Sequence, residues 1–396
     1  MQQTLKNSSI TWKTFLIDIF ICSLGAFGGP EAHYSVFTDQ LVTKKRYLTE
    51  EELVELIALC SFLPGPSSTQ TIVAIGHKTG GPLLAFLTML VWAFPALVIM
   101  TTLSFLYQFL DMQDISTDIL RYIGPMAVGF IIVASYRIGK KVIKDKLTLG
   151  LLVFGAVTTY FIRDPWIFPL VLTIGGLVSV FASKEKQLWN RVALKPPYGY
   201  LALFLFFTGG SLILATVFQN ELIQIFERFY RYGYLVFGGG QVVIPVMYSE
   251  LVEVNQLMSS QEFLTGYGLV QGIPGPMFSF SAYAGGLSVQ ADSAFLQVLG
   301  AVAGGIGIFL PGLLLIYFVY PMWASIKNIK GFKIALKGVA AVAGGLIAIA
   351  AVLLTQQSGL SWDNLLITIT TVLLLITRKI PAPIIVLIVL SIGFFF

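Results

Sequence analysis

Pro64-Gly65-Pro66 returns 210 residues later as Pro274-Gly275-Pro276, and Phe27-Gly28-Gly29-Pro30 returns at the same distance as Phe237-Gly238-Gly239-Gly240. Between these stops, Leu41-Val42 recurs as Leu251-Val252, and Thr49-x-x-Glu52 recurs as Ser259-x-x-Glu262. Each of the latter reads as a capping box, a reciprocal pairing that starts a helix. Further on, Pro95 and Arg121 answer to Pro311 and Lys337 at an offset of 216, as if six residues had been inserted once. Two similar halves interrupted by glycine and proline at matching places are a sequence signature of secondary transporters, whose substrate sits at the breaks.

Composition places the chain in a membrane. It is 56% hydrophobic and 11% charged, with mean hydropathy +0.83, against about a quarter charged in soluble domains. Apolar runs suited to crossing a bilayer fall at 82–110, 119–139, 147–162, 165–182, 198–219, 294–320, 334–355, 364–377 and 381–396. The first apolar stretch, Phe15 to Phe27, has no small-residue cleavage site and runs into Gly-Gly-Pro, so it is expected to be retained. Cys22 and Cys60 lie in apolar stretches and form neither a disulfide framework nor a metal site.

Charge placement gives orientation. Basic clusters at Lys6/Lys13, Lys44-Lys45-Arg46, Lys140 to Lys146, Lys184 to Lys195, Lys327 to Lys333 and Arg378-Lys379 alternate with acidic or neutral loops. The positive-inside rule makes the basic set cytoplasmic. The run after Gly81 then passes outward, its counterpart after Asp292 passes inward, and the two copies are inverted. The expected organisation is a first repeat over 1–182, a basic linker with an extra crossing over 183–220, and a second, inverted repeat over 221–396. The unpaired run 198–219 supplies the odd crossing that inversion requires. Arg163, Arg228 and Arg231 run against the rule, falling on the outer side.

Residues 10–80 and 221–291 must each return to the side they started from. Pro-x-Pro ends one helix and permits another, and non-helical backbone survives at membrane depth only in protein or along a cavity. The fold expected is therefore an all-α polytopic membrane protein whose inverted repeats bring broken or re-entrant helices together near the bilayer midplane. A helix starting after Pro66 offers free N–H groups and a positive dipole end, to which Ser67, Ser68, Thr69 and Gln70 add side-chain donors. The second copy offers Gln271 before its break and Met277, Phe278, Ser279 and Ser281 after it. With no carboxylates close by, an oxyanion suits this site better than a metal cation. Arg121 and Lys337 could supply positive charge.

Phe27-Gly28-Gly29-Pro30-x-Ala32-His33, Leu63 to Gln70, Ile75-Gly76, Phe237 to Gly240, Pro245 and Gly266-Tyr267-Gly268-x-x-Gln271-x-x-Pro274-Gly275-Pro276-x-Phe278 resemble the chromate ion transporter family, in its long form with two fused halves. The resemblance implies chromate export across a bacterial inner membrane. Chromate is a tetrahedral dianion of sulfate's shape. Import of sulfate or another oxyanion, and a passive anion channel, are the alternatives. The partners expected are the oxyanion, the lipid bilayer and, as an assembly, a homodimer; nucleic acid and cofactors are not. The membrane potential contributes about 2.3 kcal/mol per charge per 100 mV, hence about 4.6 kcal/mol for a dianion leaving a negative interior. Glu31 and His33, directly after the first break, are candidates for proton coupling, with Gln241 and Val243 at the matching positions. His77, beside Lys78, reads as an interfacial residue. A membrane-embedded enzyme would need a catalytic cluster, and the chain has two histidines and no HExxH. Gly304-Gly305-x-Gly307 follows no strand and serves close helix contact.

Overall fold

The computed structural model describes residues 11–112, 117–185, 187–189, 194–235, 240–289 and 293–395, and among them there is no strand. The first copy comprises α1 (Trp12–Gly25), α2 (Pro30–Phe37), α3 (Glu50–Phe62), α4 (Ser67–Met112), α5 (Ile123–Val142), α6 (Lys146–Phe161) and α7 (Ile167–Phe181). A single helix, α8 (Tyr198–Phe218), follows. The second copy comprises α9 (Glu221–Leu235), α10 (Val243–Tyr248), α11 (Ser260–Val270), α12 (Phe280–Leu287), α13 (Ala294–Val319), the short α14 (Trp323–Ile326), α15 (Lys330–Gln357), α16 (Trp362–Thr377) and α17 (Ala382–Phe395). The apolar runs of the sequence become these helices with ends moved by a few residues. Among the described residues, four helices are long and apolar enough to cross a membrane.

The repeat extends below the level of the sequence match. After α2 and α10 the backbone widens into π-helical turns at Thr38–Lys44 and Ser249–Val254. Two residues beyond each turn stands a left-handed residue, Arg46 at φ 55° and Gln256 at φ 49°. The Tyr47 N–H then donates to the Leu41 carbonyl at 2.8 Å, and the Leu257 N–H to the Leu251 carbonyl at 2.8 Å. Both capping boxes form. The Glu52 N–H reaches Thr49 Oγ1 at 3.2 Å, and the Glu262 N–H reaches Ser259 Oγ at 3.1 Å. Inside α4 the helical path breaks at Gly80 and Gly81, the latter at φ 78°, so a short segment after Pro66 is followed by a separate long one. In the second copy the corresponding segments are α12 and α13.

Packing interleaves the copies. α5 lies against α11, α15 and α16, while α15 also covers α6 and α7. Small residues permit this proximity: a Cβ on Gly345 would run into the Leu152 carbonyl. α8 packs on α9 and α13, and its outer face leaves Leu205, Phe206, Ile213, Val217 and Phe218 exposed. An apolar surface of this extent belongs against lipid.

Ion pairs tie the loops. Arg121 pairs with Asp363 at 2.5 Å, and Lys337, at the equivalent position, pairs with Asp145 at 2.6 Å. These bonds are reciprocal, since each cation reaches a carboxylate at the start of a helix in the other copy. Within the second copy, Arg231 is buried between Glu227 (2.7 Å) and Glu250 (2.7 Å), with Arg228 at 3.5 Å from Glu250. The Trp166 ring lies 5.4 Å from the Arg231 guanidinium. Such a pairing offsets the cost of burying each charge.

Candidate functional site

The first break is built from the end of α3 and the start of α4. Leu63 leaves the helix in an extended conformation. Gly65 follows at φ 127°, a region that L side chains rarely adopt. Pro64 and Pro66 flank it without N–H groups to satisfy. The first helical bond of α4 runs from the Gln70 N–H to the Pro66 carbonyl at 2.8 Å. The N–H groups of Ser67, Ser68 and Thr69 precede that bond and are the unpaired donors of a helix start.

Side chains from α2 and from the long segment of α4 fix this turn. His33 of α2 is buried, with its Nδ1 2.9 Å from Ser68 Oγ. Trp92, in the long segment of α4, donates its indole N–H to Thr69 Oγ1 at 3.2 Å and accepts the Ser23 hydroxyl at its carbonyl at 2.7 Å. The His33 ring meets Trp92 edge-on with centroids 5.3 Å apart. Thr71, one turn into the helix, spends its hydroxyl on the Ser67 carbonyl at 2.8 Å. Thr69 accepts from Trp92 and keeps its own proton available. Gln70 donates Nε2–H to the Pro64 carbonyl at 2.8 Å, and its Oε1 is buried with no partner among the described residues.

The second break repeats the backbone and changes the side chains. α11 tightens at its end, with Gln271, Gly272 and Ile273 donating to carbonyls three residues back. Gly275 stands at φ 107° between Pro274 and Pro276. The chain resumes as a 3-10 turn, Met277–Ser279, before α12. Ser279 turns its hydroxyl onto the Pro276 carbonyl at 2.7 Å, so that donor is spent on backbone. Gln271 reaches the Tyr267 carbonyl at 3.4 Å and Met277 Sδ at 3.5 Å. The Tyr267 hydroxyl and Ser281 Oγ are buried without partners among the described residues.

Each break is held by the opposite copy. The Gly275 N–H donates to the carbonyl of Ala26, at the end of α1, at 2.8 Å. A Cβ on Gly275 would stand 2.9 Å from Ala96 Cβ and 3.5 Å from Ser23 Oγ. Reciprocally, a Cβ on Gly65 would approach the Gly233 carbonyl of α9 at 3.4 Å, and one on Gly312 of α13 would meet Gln70 Cγ at 3.4 Å. Ala96 and Gly312 are equivalent at the offset of 216, as are Ser23 and Gly233 at 210.

The remaining sequence candidates are distributed as follows. Gly28 and Gly29 adopt φ 83° and 91° and lead into α2, where Pro30 takes the first position and Glu31 is exposed. Gly238 and Gly239 lie outside the described residues, and Gly240 opens a 3-10 turn. Arg121 and Lys337 stand at the exposed ion pairs, with no contact to either break among the described residues. The Asp145 carboxyl is drawn down to about 2, first by its hydrogen bond from Lys337 and then by capping the Thr148 N–H. Trp92, Ser23, Ala26, Gly233 and Gly312 were not singled out by sequence. Their only trace there is register, since Pro95 and Pro311 bring the Ala96 and Gly312 positions into correspondence. The assembled groups at the first break are hydroxyl and N–H donors on a positive helix end, a chemistry for anions. No group of three or more His, Cys, Asp or Glu able to hold a metal is present among the described residues.

A chromate transporter family model matches residues 13–180 and again 223–394. The chain belongs to the chromate transporter family. Similar relatives include the chromate transport protein of Pseudomonas aeruginosa, 27% identical over 84% of this chain and 78% of that one. The chromate transport protein of Cupriavidus metallidurans is 24% identical over 91% and 87% of the two chains. An uncharacterized transporter of Methanocaldococcus jannaschii is 24% identical over 93% and 90%. No solved structure matches. The family segments each contain one Pro-Gly-Pro break and leave out α8. Membership makes this a membrane protein of a transporter family with an oxyanion as the family's substrate.

Proposed function

We propose that this family member is a secondary transporter that carries chromate, or an oxyanion of its shape, out of the cytoplasm across a bacterial inner membrane by alternating access. The copies over 1–182 and 221–396, joined through 183–220, are oppositely oriented in this reading. The observation that carries it is the reciprocal clasp: the Gly275 N–H on Ala26, with Gly65 against Gly233, brings each broken backbone to the other copy. A site shared by two such units opens to alternate sides when one rocks against the other.

Charge pairing supports the inversion. Lys78–Glu52, Lys327–Glu55, Lys330–Glu185 and Lys337–Asp145 join residues that the positive-inside rule assigns to the cytoplasm. Arg121–Asp363, Arg163–Glu253 and Arg228–Glu250 join residues that it assigns to the exterior. No ion pair among the described residues joins one set to the other. The arginines that run against the rule are each paired with a glutamate: Arg163 with Glu253, Arg228 with Glu250 and Arg231 with Glu227. At equivalent positions after the π-helical turns, Lys44-Lys45-Arg46 of one copy is replaced by Val254-Asn255-Gln256 of the other.

Radiolabelled chromate flux in proteoliposomes of known orientation tests the proposal. Saturable flux, accelerated by unlabelled chromate on the opposite side, is expected of a carrier; non-saturating flux without such exchange would leave a channel. Pro64→Ala and Pro274→Ala are expected to insert normally and lose transport, because a helix can then run through the break.

A further inference from the structure

We propose that the first break selects an oxyanion that carries one proton, hydrogen chromate instead of the chromate dianion, with Gln70 Oε1 accepting the hydrogen bond of that proton. The inference rests on the reading of this turn as the oxyanion site and adds the protonation state of what binds there.

Gln70 is 1% exposed and held from both ends. Its Nε2–H is committed to the Pro64 carbonyl at 2.8 Å, and its side chain packs between Gly65 and Gly312. Turning the amide over would break the Pro64 bond and set two carbonyl oxygens against each other. The carbonyl end therefore stays an acceptor, buried and unpartnered. The same turn offers the Thr69 hydroxyl, which accepts from Trp92 and keeps its proton, and the three N–H groups of the helix start, while Ser68 Oγ is engaged by His33 Nδ1. A fully deprotonated oxyanion satisfies those donors and has no hydrogen for Gln70 Oε1, so oxygen would face oxygen. A singly protonated one satisfies both kinds of group.

Charge leads to the same ligand independently. No lysine or arginine contacts this break among the described residues. Arg121 and Lys337 are spent on Asp363 and Asp145 at exposed positions, and Arg231 of α9 is locked between Glu227 and Glu250. The cost of desolvating an ion grows with the square of its charge, so a dianion costs about four times what a monoanion does in a site that excludes water. Neutral donors and one helix end suit the smaller charge.

The arrangement separates chromate from sulfate, which share a shape. Chromate takes up its first proton just below neutral pH; sulfate does so only in strong acid. A site built to bond a substrate hydroxyl rejects the analogue lacking it by orders of magnitude, because its own polar group is then left unpaired. The titratable groups that touch the turn are His33 on Ser68, Tyr34 beside Ser67 and Cys60 beside Thr71. Of these only histidine ordinarily titrates near neutrality, so the protein's own contribution to a pH profile is isolated in His33→Gln.

The test is equilibrium binding of radiolabelled chromate to the purified full chain in detergent, from just below neutrality to mildly alkaline pH. The expected result is a dissociation constant for total chromate that rises about tenfold per pH unit on the alkaline side, the slope of one linked proton. That slope should persist in His33→Gln and flatten in Gln70→Met. Sulfate in about hundredfold excess should not displace chromate. A dissociation constant independent of pH in the unmodified chain, or displacement by sulfate as effective as by chromate, overturns the protonated-ligand inference and leaves the anion site standing. Absence of chromate binding at every pH removes the site and the inference with it.

Discussion

Gly275→Ala probes the clasp at its tightest point. The native residue sits at φ 107°, where a residue with a side chain costs about 1–3 kcal/mol in backbone strain. Its new Cβ would stand 2.9 Å from Ala96 Cβ, well inside contact distance, and overpacking of this kind costs about 1–3 kcal/mol more. Any shift that relieves the contact lengthens the 2.8 Å bond from the Gly275 N–H to Ala26, worth about 1 kcal/mol. The sum is about 3–7 kcal/mol, enough to lower the thermal midpoint by many degrees and to abolish chromate uptake in proteoliposomes. The other copy indicates how to recover part of this, since Gly312 stands where Ala96 does. Adding Ala96→Gly should restore the packing share and leave the strain, giving a midpoint between the variant and the parent. Gly209→Ala on α8, where a Cβ meets nothing within 4 Å, is the neutral control. Unchanged stability and flux in Gly275→Ala, or no recovery with Ala96→Gly, would refute the clasp.

Two further outcomes are expected. Arg231→Met should cost about 3–5 kcal/mol by leaving Glu227 buried without a cation and Glu250 with Arg228 alone, and adding Glu227→Gln should return much of it; a midpoint equal to that of the parent would show the cluster to be solvated. Lys337→Ala should raise the Asp145 carboxyl from about 2 toward the ordinary carboxylate range, measurable by carbon NMR of labelled aspartate. Because the folded value is depressed, the contribution of this carboxylate is present above the ordinary carboxylate range and lost as pH falls through about 2, so the variant loses it earlier in an acid titration. Chromate half-saturation should not follow, and a marked loss of affinity would return Lys337 to the cavity.

What the sequence could and could not disclose follows from the range of each interaction. Capping boxes, the stops at Pro64 to Pro66 and Pro274 to Pro276, and the unrepeated helix near 198–219 are local, encoded by a few adjacent residues, and appear where the sequence puts them. The π-helical turns at 38–44 and 249–254 were not legible, because a slip from four- to five-residue hydrogen bonding leaves no periodicity of its own. Arg121 and Lys337 looked like free cations in equivalent places, and their partners lie 242 and 192 residues away, beyond any helical spacing rule. The same holds for Trp92, which reads as one more aromatic in an apolar helix until its N–H is seen on Thr69. The pairing of Arg163 with Glu253 and of Arg231 with Glu250, 90 and 19 residues apart, is likewise invisible to spacing rules.

The opposed orientation of the copies is tested most directly by Lys44→Cys and Val254→Cys, exposed residues at matching positions 210 apart. The native Cys22 and Cys60 are buried and give a quiet background. In sealed vesicles of one orientation, a membrane-impermeant maleimide should label one variant and spare the other, with the pattern reversing when the vesicles are inverted. Labelling of both variants from the same side would contradict the account.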